Sequence, residues 1–168
     1  MLTLFVSQVA PLPDWIMQDA KAKTFSVSDF MGPYATSFDG MATFTLAEGP
    51  RLSVPIAAVG LLEADGAGNA TLKRTLNIGG IVILEEEGAG TYTVNQNGTG
   101  KGIFNITTKN QTGTLPPGLL LPKVTQETFS AVIGEEEIEF VGTSSIDPGT
   151  QQPVAAIVVR GVLKAQKQ

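Results

Sequence analysis

The sequence predicts an all-β protein: a single antiparallel up-and-down β-barrel of about eight strands, preceded by a short N-terminal helical arm. Three observations predict it. Apolar residues recur at period two in short runs, as they do in strands with one buried face. Glycine-rich turns separate these runs in regular order, with no helical periodicity between them. Finally, Asn97-Gly98 stands between the alternating segments Tyr92-Thr-Val94 and Phe104-Asn-Ile106. Asn and Gly tolerate positive φ, so this dipeptide is a strong hairpin signal. A β-sandwich is the second choice.

The arm covers residues 1–32. Pro13-Asp14 followed by Trp15, Ile16, Met17 and Ala20 predicts about two turns of helix. Asp14 stands at its N-terminus and Lys21 and Lys23 near its end, where the helix dipole favours cations. Trp15, the single tryptophan, reads as a plug for one end of the core.

The barrel domain covers residues 33–168. Its first strand runs from Tyr34 to Leu46, with Phe38, Gly40, Ala42, Phe44 and Leu46 on one face and a bend at Gly40. Val54–Ala64 follows, then the turn Asp65-Gly-Ala-Gly-Asn69 and the strand Ala70–Leu76. The next strand is placed at Ile78–Glu85, with Glu86-Glu87-Gly88-Ala89-Gly90 turning into the Tyr92 strand. After the hairpin, Lys109–Thr125 breaks the pattern with three prolines inside Leu115-Pro-Pro-Gly-Leu-Leu-Leu-Pro122. Glu127–Ile133, Ile138–Ser145 and Val154–Ala165 complete the meander.

Composition removes several function classes. The 168 residues contain no cysteine and no histidine, which excludes thiol nucleophiles, disulfides, zinc-finger sites, Ser-His-Asp triads and imidazole acid–base chemistry. The net charge of −5 and the lack of a Lys/Arg face argue against nucleic acid and anionic membrane surfaces. No run has the length of a membrane-spanning helix. Met1–Ala10 lacks the basic region and long apolar core of a signal peptide, and the compartment is left open, export included.

Gly32-Pro-Tyr34, Glu63-Ala-Asp-Gly-Ala-Gly-Asn69, Gly90-Thr-Tyr-Thr-Val-Asn95 with Asn97-Gly-Thr-Gly100, and the closing Arg160-Gly-Val-Leu-Lys-Ala-Gln166 resemble the turn and strand motifs of a family of small bacterial β-barrel proteins. That family is similar to the allene oxide cyclase barrel and, more loosely, to calycins. The resemblance implies the barrel fold. Cyclases with the related barrel bind an apolar substrate inside it and assemble as trimers. None of their catalytic motifs maps onto residues of this sequence, so the resemblance implies the fold and not the activity.

The expected function is a non-enzymatic binding or structural module holding a small apolar ligand in the barrel. The alternative is a cofactor-free cyclase or isomerase acting on such a molecule, and a third reading is an oligomeric shell or surface protein without a pocket. No cofactor and no metal are expected. Tyr34, Tyr92, Phe104 and Arg160 are the candidate ligand contacts. Arg160, between Val159 and Gly161, either points inward to a ligand or outward to solvent or a subunit contact. The acidic runs Glu85–Glu87 and Glu135–Glu137 read as solvated turns, with Ca²⁺ binding the weaker choice.

Leu115, Leu119, Leu120 and Leu121 sit in a loop, where leucines are unusual, and read as a lid or a subunit contact. Val54–Leu62, Ile78–Leu84 and Ala155–Val162 are apolar on both faces, which predicts a cover over the outside and hence a homo-oligomer. An interior filled by Phe38, Phe44, Phe104 and Phe129 would favour a structural module, and an open cavity with converging polar groups a carrier or an enzyme.

Overall fold

The computed structural model describes residues 23–46, 49–134 and 137–166. The predicted helix and Trp15 lie outside these residues. Eight antiparallel strands close into one barrel in sequence order: β1 (Met31–Thr45), β2 (Arg51–Asp65), β3 (Asn69–Ile78), β4 (Val82–Val94), β5 (Thr99–Thr112), β6 (Val124–Ile133), β7 (Glu137–Ile146) and β8 (Pro153–Ala165). Each pairs with its neighbours in sequence, and β1 pairs with β8 from Tyr34↔Ala165 to Phe44↔Ala155.

The period-two pattern sets the inside. On β3, Ala70, Leu72, Leu76 and Ile78 face in while Lys73, Thr75 and Asn69 face out. On β1, Tyr34, Phe38, Ala42 and Phe44 do the same. The β4–β5 hairpin forms as expected, and only its Gly98 takes a left-handed backbone, at φ 82°. The Gly98 amide donates to the Asn95 carbonyl, and the Asn95 amide to Thr99.

One predicted boundary is wrong. Ile78–Glu85 is not a strand, and Glu86–Gly90 is not a turn. The chain turns at Gly79-Gly80, both at positive φ, and β4 runs unbroken from Val82 to Val94. Two consecutive glycines accept the left-handed backbone of that turn. Gly88 and Gly90 are instead inward positions, opposite Ile106 and Phe104 of β5.

The interior has two apolar clusters. One, rich in aromatics, gathers Phe30, Tyr34, Tyr92, Phe104 and Phe140, with Phe38 and Phe129 packed against it. The other is mainly aliphatic and centres on Val82, Leu84, Ile78, Val159 and Phe44. Both ends of the bore are stoppered by the chain itself. At the aromatic end a 3₁₀ turn, Val27–Asp29, held by reciprocal Ser26–Asp29 hydrogen bonds, carries Phe30 into the bore. Phe30 stacks on Tyr34 and Tyr92, with ring centroids 4.7 Å away in each case. At the aliphatic end the leucine-rich loop inserts Leu119.

Candidate functional site

Between the two clusters lies a layer that the motifs did not disclose. Arg74 of β3 points into the bore and is fully buried. Its Nε donates to Glu86 Oε2 at 2.6 Å. Its two terminal nitrogens donate as a fork to Glu127, Nη1 to Oε2 at 2.9 Å and Nη2 to Oε1 at 2.7 Å. Glu86 stands beside Arg74 on β4, as its direct cross-strand partner. Glu127 comes from β6, so the guanidinium bridges the bore. The Phe38 ring lies 5.4 Å from the guanidinium carbon, within cation–π range.

Local backbone features aim these groups. On the other flank of Arg74 its cross-strand partner is Gly60. A Cβ there would run into the Lys73 carbonyl oxygen and lie 2.7 Å from the Arg74 Cβ, so only glycine leaves room for this stretch of β3. The β4–β5 register shifts between Glu85 and Glu86, which pairs Glu86 with Thr108. The β6–β7 register shifts between Thr128 and Phe129, next to Glu127. A bulge re-aims the side chains around it, and one lies beside each carboxylate.

The electrostatics follow from burial. Desolvation would lower the Arg74 pKa, but the carboxylates of Glu127 and Glu86 outweigh it and hold the guanidinium charged. Burial raises the Glu86 carboxyl above its ordinary value, with the Arg74 charge opposing and the Glu127 charge adding. One cation against two carboxylates leaves the layer one negative charge in excess, and the Glu127 charge is part of what raises Glu86.

Two cavities flank this layer. The first, about 80 Å³, lies between Phe30 and Arg74, with walls from Leu72, Phe104, Phe129 and Phe140. It is almost wholly hydrocarbon. The second, about 60 Å³, lies toward the Leu119 loop and meets Glu86, Glu127, Thr108 and Ser145. Its polar partners suit a few water molecules.

The predicted contacts divide. Phe104 and Tyr92 line the first cavity. The Tyr92 hydroxyl donates to the Phe30 carbonyl at 2.7 Å and accepts from the Gly66 amide at 3.0 Å, so it fastens the stopper. Tyr34 is buried against Phe30, and its hydroxyl reaches the Met31 carbonyl at 3.4 Å. Burial raises the pKa of both phenols.

Arg160 takes the outward of its two alternatives and does not reach the bore as a ligand contact. It is on the outer face, its side chain 78% exposed and 4.0 Å from Glu139, because Val159, Gly161 and Leu163 hold the inward phase of β8. Of the four leucines, Leu119 is buried, Leu115 and Leu121 pack beneath it, and Leu120 is 82% exposed. The loop thus packs against this end of the barrel interior through Leu119.

The Arg74–Glu86–Glu127 layer was missed, although one signal was present. Arg74 interrupts the inward apolar series Ala70, Leu72, Leu76, Ile78 in phase, and Glu127 does the same ahead of Phe129, Ala131 and Ile133. Among the described residues no group of acidic side chains is placed to hold a metal ion, and no helix is long and apolar enough to cross a membrane. Compared with family models, curated proteins and solved structures, the chain matches none.

Proposed function

We propose that this protein is a non-enzymatic binding barrel that holds a small apolar molecule in the cavity between Phe30 and Arg74. The observation that carries this reading is the cavity itself: about 80 Å³ of hydrocarbon-walled space within the aromatic cluster of the bore. An eight-stranded bore is just wide enough for side chains or one small ligand. Apolar cavities stay dry and take up apolar guests. A non-catalytic role is supported by the engagement of the nearby polar groups. The Tyr92 hydroxyl holds backbone, and Glu86 and Glu127 are paired with Arg74.

The test is methyl-resolved NMR of the protein under xenon pressure. Shifts confined to Leu72, Leu163 and Ile138, which line the cavity, support the reading. No shift there overturns it in favour of a filled structural barrel.

A second reading, self-association, is favoured by the outer face of β1, β2 and β8. Val59 is 65% and Val158 77% exposed, with Met41 and Leu61 also at the surface. Met41 pairs directly with Val158 across the β1–β8 seam. Sedimentation velocity of wild type and Val158→Lys tests it: a dimer or larger species lost in the variant supports it, and a wild-type monomer overturns it.

A further inference from the structure

The cavity's walls are hydrocarbon, but its floor is a cation. Arg74 carries five N–H groups. Its hydrogen bonds to Glu86 and Glu127 use three of them. Two N–H groups therefore remain, one on each outer edge of the guanidinium, on a buried side chain that lines the cavity. Thr36, also buried, adds a hydroxyl to the same lining. We infer that the cavity is a site for a small neutral molecule with an aliphatic body and a single hydrogen-bond acceptor, such as a ketone, whose oxygen accepts from Arg74. This rests on the binding reading above and adds the chemistry of the ligand.

Size and charge narrow the class further. A cavity of roughly 150 Å³ admits benzene. The space here, about 80 Å³, is near half of that and limits the guest to a few heavy atoms. An anion is disfavoured because Glu86 and Glu127 already give the layer more negative than positive charge. Bringing a carboxylate from water into hydrocarbon walls adds a large desolvation cost. An ammonium has no acceptor to meet except carboxylates that Arg74 already holds. A neutral carbonyl can accept from one of the remaining donors without changing the charge.

Three probes of one shape separate these possibilities. They are butanone, its methylidene isostere with =CH₂ in place of the carbonyl oxygen, and propanoate. Binding to the full chain is read by methyl NMR titration and thermal shift. Butanone should bind about tenfold more tightly than the isostere, the gain expected from one hydrogen bond to a charged group. Propanoate should leave the spectrum unchanged. Ala131→Leu narrows the cavity, to which Ala131 contributes, and should abolish butanone binding while the barrel still melts cooperatively. Ala58→Val, in the same lining, serves if that variant does not fold.

Equal binding of butanone and its isostere overturns the acceptor claim and leaves the apolar-binding reading standing. Propanoate binding as well as butanone overturns the neutrality claim. Failure of both neutral probes overturns the binding reading itself, and undiminished butanone binding by the filled variant places the site elsewhere.

Discussion

Arg74 and Arg160 sit in strands of the same barrel and meet opposite fates. Arg160 has apolar neighbours in sequence, Val159 and Gly161, and lies in solvent. Arg74 has polar neighbours, Lys73 and Thr75, and lies at the centre of the core. Adjacent residues on a strand point to opposite faces, so a side chain shares its face with the residues two away. Leu72 and Leu76 bracket Arg74, whereas Val158 and Val162 bracket Arg160 on the outside. The comparison teaches that phase, not neighbourhood, reports burial in a barrel wall.

The comparison breaks most severely at Arg74. Arg74→Met strands two buried carboxylates and should cost about 3–5 kcal/mol in urea unfolding. Replacing all three groups with apolar residues (Arg74→Met, Glu86→Leu and Glu127→Leu) should restore most of that loss, since a packed apolar layer is often as stable as a buried ion pair. A triple variant as unstable as the single one would refute the electrostatic account.

Gly60→Ala attacks the same site by volume. The added Cβ would sit 2.7 Å from the Arg74 Cβ. A loss of about 1–3 kcal/mol is expected, as for other overpacked cores. Wild-type stability in Gly60→Ala would mean that the β2–β3 backbone beside Arg74 has room to shift.

The pH dependence sharpens the comparison further. Burial holds Glu86 above its ordinary 4.5, against the pull of Arg74. Between that value and the raised one, the folded protein keeps a proton that the unfolded chain has released. The Glu86 contribution to stability is therefore full below pH 4.5 and is lost as pH rises through the raised value. Asp65 works in the other direction. Its side-chain bond with Asn69 and the Asn69 and Ala67 amides lower its pKa below 3.8, so its contribution is lost as pH falls through that lowered value. Unfolding free energies measured from pH 3 upward should fall above about pH 4.5 in wild type, and Glu86→Gln should flatten that decline. An identical slope in the variant would assign the titration to another group.

The smallest effect belongs to Arg160→Ala. Its pair with Glu139 is long and exposed, and stability should change by no more than about 0.5 kcal/mol. A larger loss under conditions where the protein self-associates would instead point to a role for Arg160 between subunits.

The barrel itself was legible because turns and alternation are local. Asp65–Asn69 and Asn95–Thr99 carry their own hydrogen bonds, and each joins two strands without help from the rest of the chain. The central layer was much less legible. Reading Glu86–Gly90 as a turn cut β4 in two and discarded the phase that puts Glu86 inside. Nothing in the neighbourhood of Glu127 pairs it with Arg74, because that contact crosses the bore between residues 53 apart in sequence. Only the register of all the intervening strands brings the two together. The leucines at 115–121 did announce burial, since loop leucines need cover, and Leu119 finds it inside the barrel.

The seam between β1 and β8 has a consequence for how the protein is made. Seven strands can add one after another as the chain emerges, each on a neighbour already present. The eighth must pair with both β7 and β1, and β1 waits through more than a hundred residues for it. Until β8 arrives, the seven-strand intermediate has two open edges, and Phe38 and Ala42 lack the wall that seals them. Chains halted before residue 153 should therefore collect as aggregates or chaperone clients, whereas full-length chains close abruptly. The closure that gives the mature barrel no edge concentrates the hazard of its synthesis in the last strand.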